Sequence, residues 1–244
     1  MKTKAKKSPG KQLNVTWYGH SAFTMQAPGG KTVLIDPWLE NPKAPAGAKE
    51  SVTADLILIS HGHSDHVGNV VEVAKRTGAK VVSIYEIALY LHAQGVTNAD
   101  GINKGGSMAV DGINVTLVDA LHSSGIDVGT TVVPGGEAAG FIIEFEHGFR
   151  AYHAGDTAVF GDMKLIANLY KPQLAMLPIG GLYTMGPRDA AYACGLMRPR
   201  YIIGMHYGTF PALAGTPTEL KKYLPAALKR NVTELQPGQP VTIG

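Results

Sequence analysis

The sequence predicts an α/β protein of four layers, two sheets packed face to face with helices outside. Three observations carry this. Short β-branched runs alternate with amphipathic stretches, and the second half of the chain repeats the order of the first. The longest aliphatic run, Leu56-Ile57-Leu58-Ile59, is strand-length and far too short to cross a bilayer. The 244 residues, 45% hydrophobic and 17% charged, suffice for a core without disulfide staples and exclude intrinsic disorder.

Each element has its own signal. Residues 13–18, 21–26 and 31–36 read as strands, separated by turn residues such as Pro28-Gly29-Gly30. Residues 41–50, with Pro42, Pro45 and Gly47, read as a loop, and 55–60 as a buried strand. A helix is expected over 67–77, stopping at Gly78, then a strand over 80–84 and a helix over 85–94 ended by Gly95. Residues 113–120 are β-branched and strand-like. Gly, Thr, Ser and Pro dominate 123–140, which reads as a long loop of the kind that often serves function, here as a lid. Residues 141–146 and 149–153 suggest a hairpin across His147-Gly148. A helix over 159–170 and a strand over 173–179 follow. Pro187 and Asp189 suit the first turn of a helix over 187–197. A strand over 200–205 precedes a helix over 217–230 that Pro225 kinks.

The formal charge of +3 is unevenly spread. Lys2, Lys4, Lys6, Lys7 and Lys11 fall in the first eleven residues, which hold no acid. The remainder has 17 basic against 19 acidic residues, a body of about −2. The expected organisation is a flexible basic tail over 1–12 and one domain over 13–244. A folded nucleic-acid binder would carry its basic residues on the body, so the expected partner is a small molecule rather than nucleic acid. The reading leaves room for a homo-oligomer. The basic start lacks the apolar segment of a secretory signal, and Cys194 is the single cysteine. Both fit a reducing compartment, the cytoplasm, with no membrane partner.

The densest chemistry is His61-Gly62-His63-Ser64-Asp65-His66. Three imidazoles and a carboxylate lie within six residues, between an apolar strand and a helix. These are ligand types for a borderline divalent cation such as zinc. Three further strand ends carry a ligand-type residue: His122, Asp156 and His206. Ligand sites in sheet-based folds gather beyond strand carboxyl ends. Seven ligands exceed the needs of one tetrahedral ion and suit two, most simply two zinc ions, with manganese as the alternative. Two aspartates, two divalent cations and one hydroxide leave the cluster at roughly +1, attractive to anionic or polarised acyl and phosphoryl groups.

The His61–His66 stretch resembles the HxHxDH signature of the metallo-β-lactamase superfamily. The likeness extends through Trp17-Tyr18-Gly19-His20-Ser21, Ile35-Asp36-Pro37, His122-Ser123-Ser124, Ala154-Gly155-Asp156-Thr157, Phe160-Gly161-Asp162-Met163, Pro178-Ile179-Gly180-Gly181, Thr184-Met185-Gly186-Pro187 and Met205-His206-Tyr207-Gly208-Thr209-Phe210-Pro211. Together these are similar to a small bacterial and archaeal metal-dependent hydrolase family related to ascorbate-6-phosphate lactonase. The resemblance implies the metallo-β-lactamase fold, an αβ/βα sandwich with a dinuclear site at the strand edge. It implies that His61, His63 and His122 hold one metal, that Asp65, His66 and His206 hold the other, and that Asp156 bridges. The di-iron branch carries an acid where this chain has His63, so a hydrolytic site is implied. Where the pattern has His or Asn before an aromatic residue, this chain has Leu182-Tyr183.

The expected mechanism is attack by a metal-bound hydroxide on a small anionic ester, lactone or phosphodiester, with Asp65 orienting it and His20 assisting proton transfer. A nuclease or cyclic-nucleotide phosphodiesterase on the same fold is the first alternative, and a non-enzymatic metal-binding scaffold the second. Asp36 is placed to accept from a ligand histidine's free N–H. Tyr183 is a candidate oxyanion donor and His153 a weaker site candidate. His92 and His147 read as surface residues. Cys194 lies on an apolar helix and reads as core.

Overall fold

Two runs buried along their whole length, Leu56–Ile59 and Leu174–Pro178, anchor two sheets. Strands covered on both faces lose the alternation of half-buried ones and become continuously apolar. The computed structural model describes residues 12–244, and the expected tail over 1–12 lies outside them except for its last residue.

The first sheet begins with β1 (Leu13–Trp17), β2 (Phe23–Gln26) and β3 (Thr32–Ile35), an antiparallel meander. Beyond β3, β4 (Leu56–Ile59), β5 (Lys80–Ile84) and β6 (Ala99–Ile102) run parallel. The chain then crosses to β7 (Ser107–Val110) and β8 (Ile113–Asp119) of the second sheet. A separate ribbon follows, β9 (Gly125–Val128) and β10 (Thr131–Pro134). The second sheet continues with β11 (Ala139–Glu144) and β12 (Arg150–His153), then β13 (Leu174–Pro178) and β14 (Tyr201–Met205). β12, β13 and β14 are parallel to one another. The last strand, β15 (Pro240–Ile243), returns to the first sheet beside β1. The sheet orders are β15-β1-β2-β3-β4-β5-β6 and β14-β13-β12-β11-β8-β7, both mixed.

Among the described residues, eight helices connect these strands: α1 (Ala48–Ser51), α2 (Ser64–Val67), α3 (Val70–Thr77), α4 (Tyr85–Ala93), α5 (Met163–Tyr170), α6 (Pro187–Met197), α7 (Pro217–Tyr223) and α8 (Ala226–Lys229). Each of the longer ones buries one stripe. In α3 this is Val70, Val73 and Ala74, and in α6 it is Ala190, Ala191, Ala193, Cys194 and Met197. The α/β four-layer expectation holds: two mixed sheets flanked by helices form this fold. Between the sheets, Phe23 of β2 meets the His153 ring of β12 edge-on at 5.9 Å.

The structure corrects several boundaries. The helix expected over 67–77 starts at Val70, because Gly68 takes φ 36° and ends α2. The helix expected from 159 begins at Met163. At Pro225 the final helix breaks rather than kinks, since Leu224 is extended at ψ 143°. Residues 123–140 contain the β9–β10 ribbon and are not a structureless loop. β6, β7 and β15 lie in segments that carry no clear strand pattern. Among the described residues, no helix is long and apolar enough to cross a membrane.

Candidate metal centre

Every predicted ligand lies at or just beyond the carboxyl end of a strand, or in the turn of helix that follows. His20 sits in the turn after β1 and Asp36 directly after β3. Ser60 and His61 follow β4, His63 caps α2, and Asp65 and His66 lie within it. From the second sheet come His122 after β8, Asp156 after β12 and His206 directly after β14. The two sheets thus deliver ligands to one edge. Backbone bonds hold them there, with Ala139 N–H donating to Ser60 O at 3.0 Å and His206 N–H to His20 O at 3.0 Å.

Three overlapping sets of side chains bring ligand atoms within 4.8 Å of one another. One is His61, His63 and His122. The second is His20, Asp65, His66 and His206. The third, His61, His66 and Asp156, joins them. Asp156 Oδ2 is 2.9 Å from His206 Nε2, 3.3 Å from His66 Nε2, 3.6 Å from His122 Nε2 and 3.9 Å from His61 Nε2. All seven predicted ligands are therefore together, and His20 joins them.

Tautomers follow from the partners. Asp36 Oδ2 lies 2.8 Å from His66 Nδ1, so that nitrogen donates and Nε2 presents its lone pair to the cluster. Asp36 also accepts from Ser60 N–H at 2.8 Å and Ser60 Oγ–H at 2.7 Å. Ser60 Oγ is then the acceptor for His61 Nδ1–H at 3.0 Å, which turns the His61 Nε2 lone pair to the cluster, 3.0 Å from His63 Nδ1. His20 donates Nε2–H to Asp65 Oδ2 at 2.9 Å, so its Nδ1 accepts from Thr209 Oγ1–H at 3.0 Å. Ser123 Oγ stands 3.3 Å from His63 Nε2.

The electrostatics separate groups that shed positive charge from the place where the carboxylates hold it. Burial drives His61 well below the ordinary histidine range, and the neighbouring His66 adds to the effect. Burial also lowers His122, and it pushes His20 down to about 4 despite the bond to Asp65. Burial opposes charge on His66 too, but the carboxylates of Asp156 and Asp36 outweigh it and raise His66 well above its usual value. Burial would raise Asp156, yet His66 and His206 prevail and hold it well below the usual carboxylate range. Asp65 is lowered likewise, its burial outweighed by the hydrogen bond from His20.

The residues fit a metal. His66 Nε2, Asp156 Oδ1 and His206 Nδ1 are buried with no hydrogen-bond partner among the described residues. Such orphans cost about 1–3 kcal/mol each, and a cation in contact with His66 Nε2 and Asp156 would relieve two of them. Nitrogen and carboxylate donors suit a borderline divalent ion.

A model of the beta-lactamase superfamily domain matches residues 14–206. A UPF0173 metal-dependent hydrolase of Koribacter versatilis is 49% identical over 228 residues, covering 93% of this chain and 97% of that protein. The chain belongs to the UPF0173 metal-dependent hydrolases. A second UPF0173 protein, from Methanosarcina mazei, is 44% identical over 232 residues, 95% of this chain and 99% of its own. Among solved structures, Igni18, a metallo hydrolase from the archaeon Ignicoccus hospitalis, superposes with TM-score 0.86 at 37% identity, covering 96% of this chain and 99% of that one. The superfamily resemblance read from the motifs is thereby borne out.

Other candidates fall outside the cluster. His153 is buried, donating Nε2–H to Ser21 O at 3.3 Å and accepting from Gly155 N–H at 3.2 Å, a satisfied core histidine. His92 is exposed and donates to Ala99 O at 2.8 Å. His147 is half-buried rather than a surface residue, because the hairpin turn folds its ring against Phe149, 6.0 Å away and 15° from parallel. Cys194 is buried, as expected. Sequence reasoning overlooked Thr209, Ser60 and Ser123. Ser123 and Thr209 lie within the quoted motif stretches and Ser60 directly before His61, but only their polar character hinted at a role.

Proposed function

We propose that this UPF0173 hydrolase cleaves a small anionic ester, lactone or phosphodiester at a dinuclear centre of zinc, or alternatively manganese. The observation that carries the reading is the position of Asp156, whose Oδ2 lies within 3.9 Å of histidines from both ligand sets. In this reading His61, His63 and His122 hold one ion, Asp65, His66 and His206 hold the other, and Asp156 serves both. Two such ions supply Lewis-acid polarisation of an acyl or phosphoryl oxygen and a water acidified towards a pKa of about 7. The chain's own groups set the geometry. Asp36 and Ser60 hold His66 and His61 in the tautomers that present Nε2. His20 is fully buried with both ring nitrogens engaged, so it acts by orienting the Asp65 carboxylate. The single, buried cysteine fits the reducing conditions of the cytoplasm.

Elemental analysis of the purified protein should give about two divalent ions per chain. Asp156→Ala should lose both ions and, with them, turnover of a panel of lactones, carboxylic esters and phosphodiesters. A reproducible stoichiometry near one, or an Asp156→Ala protein that keeps two ions and normal turnover, refutes the dinuclear reading. Strongly salt-dependent cleavage of RNA or DNA, with no turnover of small esters, would favour a nuclease instead.

A further inference from the structure

Resting on the hydrolase reading, we propose that the mouth of the metal centre selects substrates bearing an apolar arm, an alkyl or aryl group attached to the ester or phosphodiester. Large apolar side chains reach solvent on three separate segments that adjoin the ligands along the backbone. Thr157, next to Asp156, is a common foot for two of them. Its Oγ1 accepts from Leu121 N–H at 3.0 Å, and its carbonyl accepts from Met185 N–H at 3.1 Å. Leu121 directly precedes His122 and is 49% exposed.

The loop over 180–186 leaves β13 where Ile179 N–H bonds Met205 O, beside His206, and closes on Thr157 through Met185. Between these feet Leu182 and Tyr183 are 70% and 63% exposed. Leu182 is held at φ 57°, a left-handed conformation that costs a residue with a β-carbon energy. On the third segment, Phe210 stacks on Trp38 at 5.7 Å, meets His20 edge-on at 6.1 Å and stays 39% exposed. A single exposed leucine is ordinary, but exposed apolar groups on three segments that each adjoin the ligand cluster point to a binding surface.

Charge points the same way. Residues 120–124, 157–161, 180–186 and 207–215 contain no Lys, Arg, Asp or Glu. The nearby Lys43 lies over the rings of Tyr207 and Trp17, 5.6 and 5.8 Å from their centroids. Away from the metals, then, these segments offer an anionic group no basic partner of their own, whereas an alkyl or aryl group gains by leaving water. The same side chains would shield the reacting centre from solvent.

Calorimetric titration of the zinc-loaded full chain with acetate, butyrate and octanoate tests this without turnover. Octanoate should bind at least about tenfold more tightly than acetate, a conservative share of what its extra methylenes yield on full burial. In Leu182→Ser/Tyr183→Ser, verified as folded by an unchanged melting temperature, that advantage should shrink severalfold. Equal affinity along the series, or an undiminished advantage in the double variant, overturns the proposal. So does sedimentation showing that these side chains are covered by a second copy of the chain and that octanoate is excluded. Absence of turnover with p-nitrophenyl acetate and bis-p-nitrophenyl phosphate would count against the hydrolase reading alone, since the binding ratio is measured separately.

Discussion

A buried histidine with both ring nitrogens engaged has no choice of tautomer, and His20 is in that position. Asp65 takes its Nε2–H, and Thr209 supplies the proton that Nδ1 accepts. Thr209→Val keeps the shape and removes the donor, leaving Nδ1 buried and unpaired. We expect metal affinity to fall about 10–100-fold, the usual cost of losing a partner behind a ligand, with Thr209→Ser restoring most of it. Competition with a zinc-binding dye measures the affinity, and nitrogen chemical shifts of His20 report the tautomer. Unaltered affinity and tautomer in Thr209→Val would show that Asp65 is oriented by other means. His20, Asp36 and His206 all sit at positive φ, 52°, 45° and 55°, although none is glycine. Strain of this kind gathers at functional sites because the surrounding structure over-determines it. The contiguous ligands from His61 to His66 were legible in the sequence because they are neighbours there. Asp36 was legible as the end of a buried strand. Thr209 was not, since its partner lies 189 residues away and only the fold brings them together.

Elements differ in how loudly their residues announce them. β4 and β13 are buried throughout and unmistakable, whereas β10 is exposed at every position and sends no periodic signal. β7 is at best half-buried, and β15 starts with a proline at the edge of the first sheet. Their pairing comes from tertiary context rather than from side-chain pattern. The β9–β10 ribbon nonetheless bears on the site. Gly62 N–H donates to Ser124 Oγ at 3.1 Å, and a β-carbon on Gly62 would lie 2.7 Å from Ile126 Cγ1 and 3.0 Å from Gly125 O. Gly62→Ala should therefore push the ribbon off the ligand turn, destabilising the protein by about 1–3 kcal/mol and weakening metal binding. Denaturant melts with and without zinc check both effects, and a neutral substitution would mean that the ribbon is not seated there. Helix α6 offers a pH test. Burial pushes the Cys194 thiol up to about 12, against about 8.5 in an unfolded chain. A raised folded value favours the neutral thiol, so this contribution to stability is complete below about pH 8.5 and lost progressively as pH rises towards 12. Ellman's reagent at pH 8 should leave the native protein unlabelled and modify one thiol once it is unfolded. Rapid labelling of the native protein would place Cys194 outside the core.

At the scale of the molecule, the ligand cluster is where the two sheets meet. The turns after β1 and β4, with α2, bring His20, His61, His63, Asp65 and His66 from one sheet, and the ends of β8, β12 and β14 bring His122, Asp156 and His206 from the other. Ions held by both sets would act as cross-links at this edge, adding to the apolar packing, the backbone bonds and side-chain contacts such as Lys31–Asp111 and His153–Ser21 that join the halves elsewhere. Without them, buried orphan atoms and facing polar groups work against closure of that edge. Binding to the folded chain alone stabilises it by mass action, about 2.7 kcal/mol for one site at free metal one hundred times its dissociation constant. For a protein of this size that is a rise in melting temperature of about 5–10 °C. Removing metal with EDTA should therefore lower the melting temperature by at least that much, and excess zinc should restore it. The same treatment of Asp156→Ala should have almost no effect, because its ions are already gone. A wild-type melting temperature that stays constant while elemental analysis records complete metal loss would mean that the ions sit on one sheet and bind nothing across the edge.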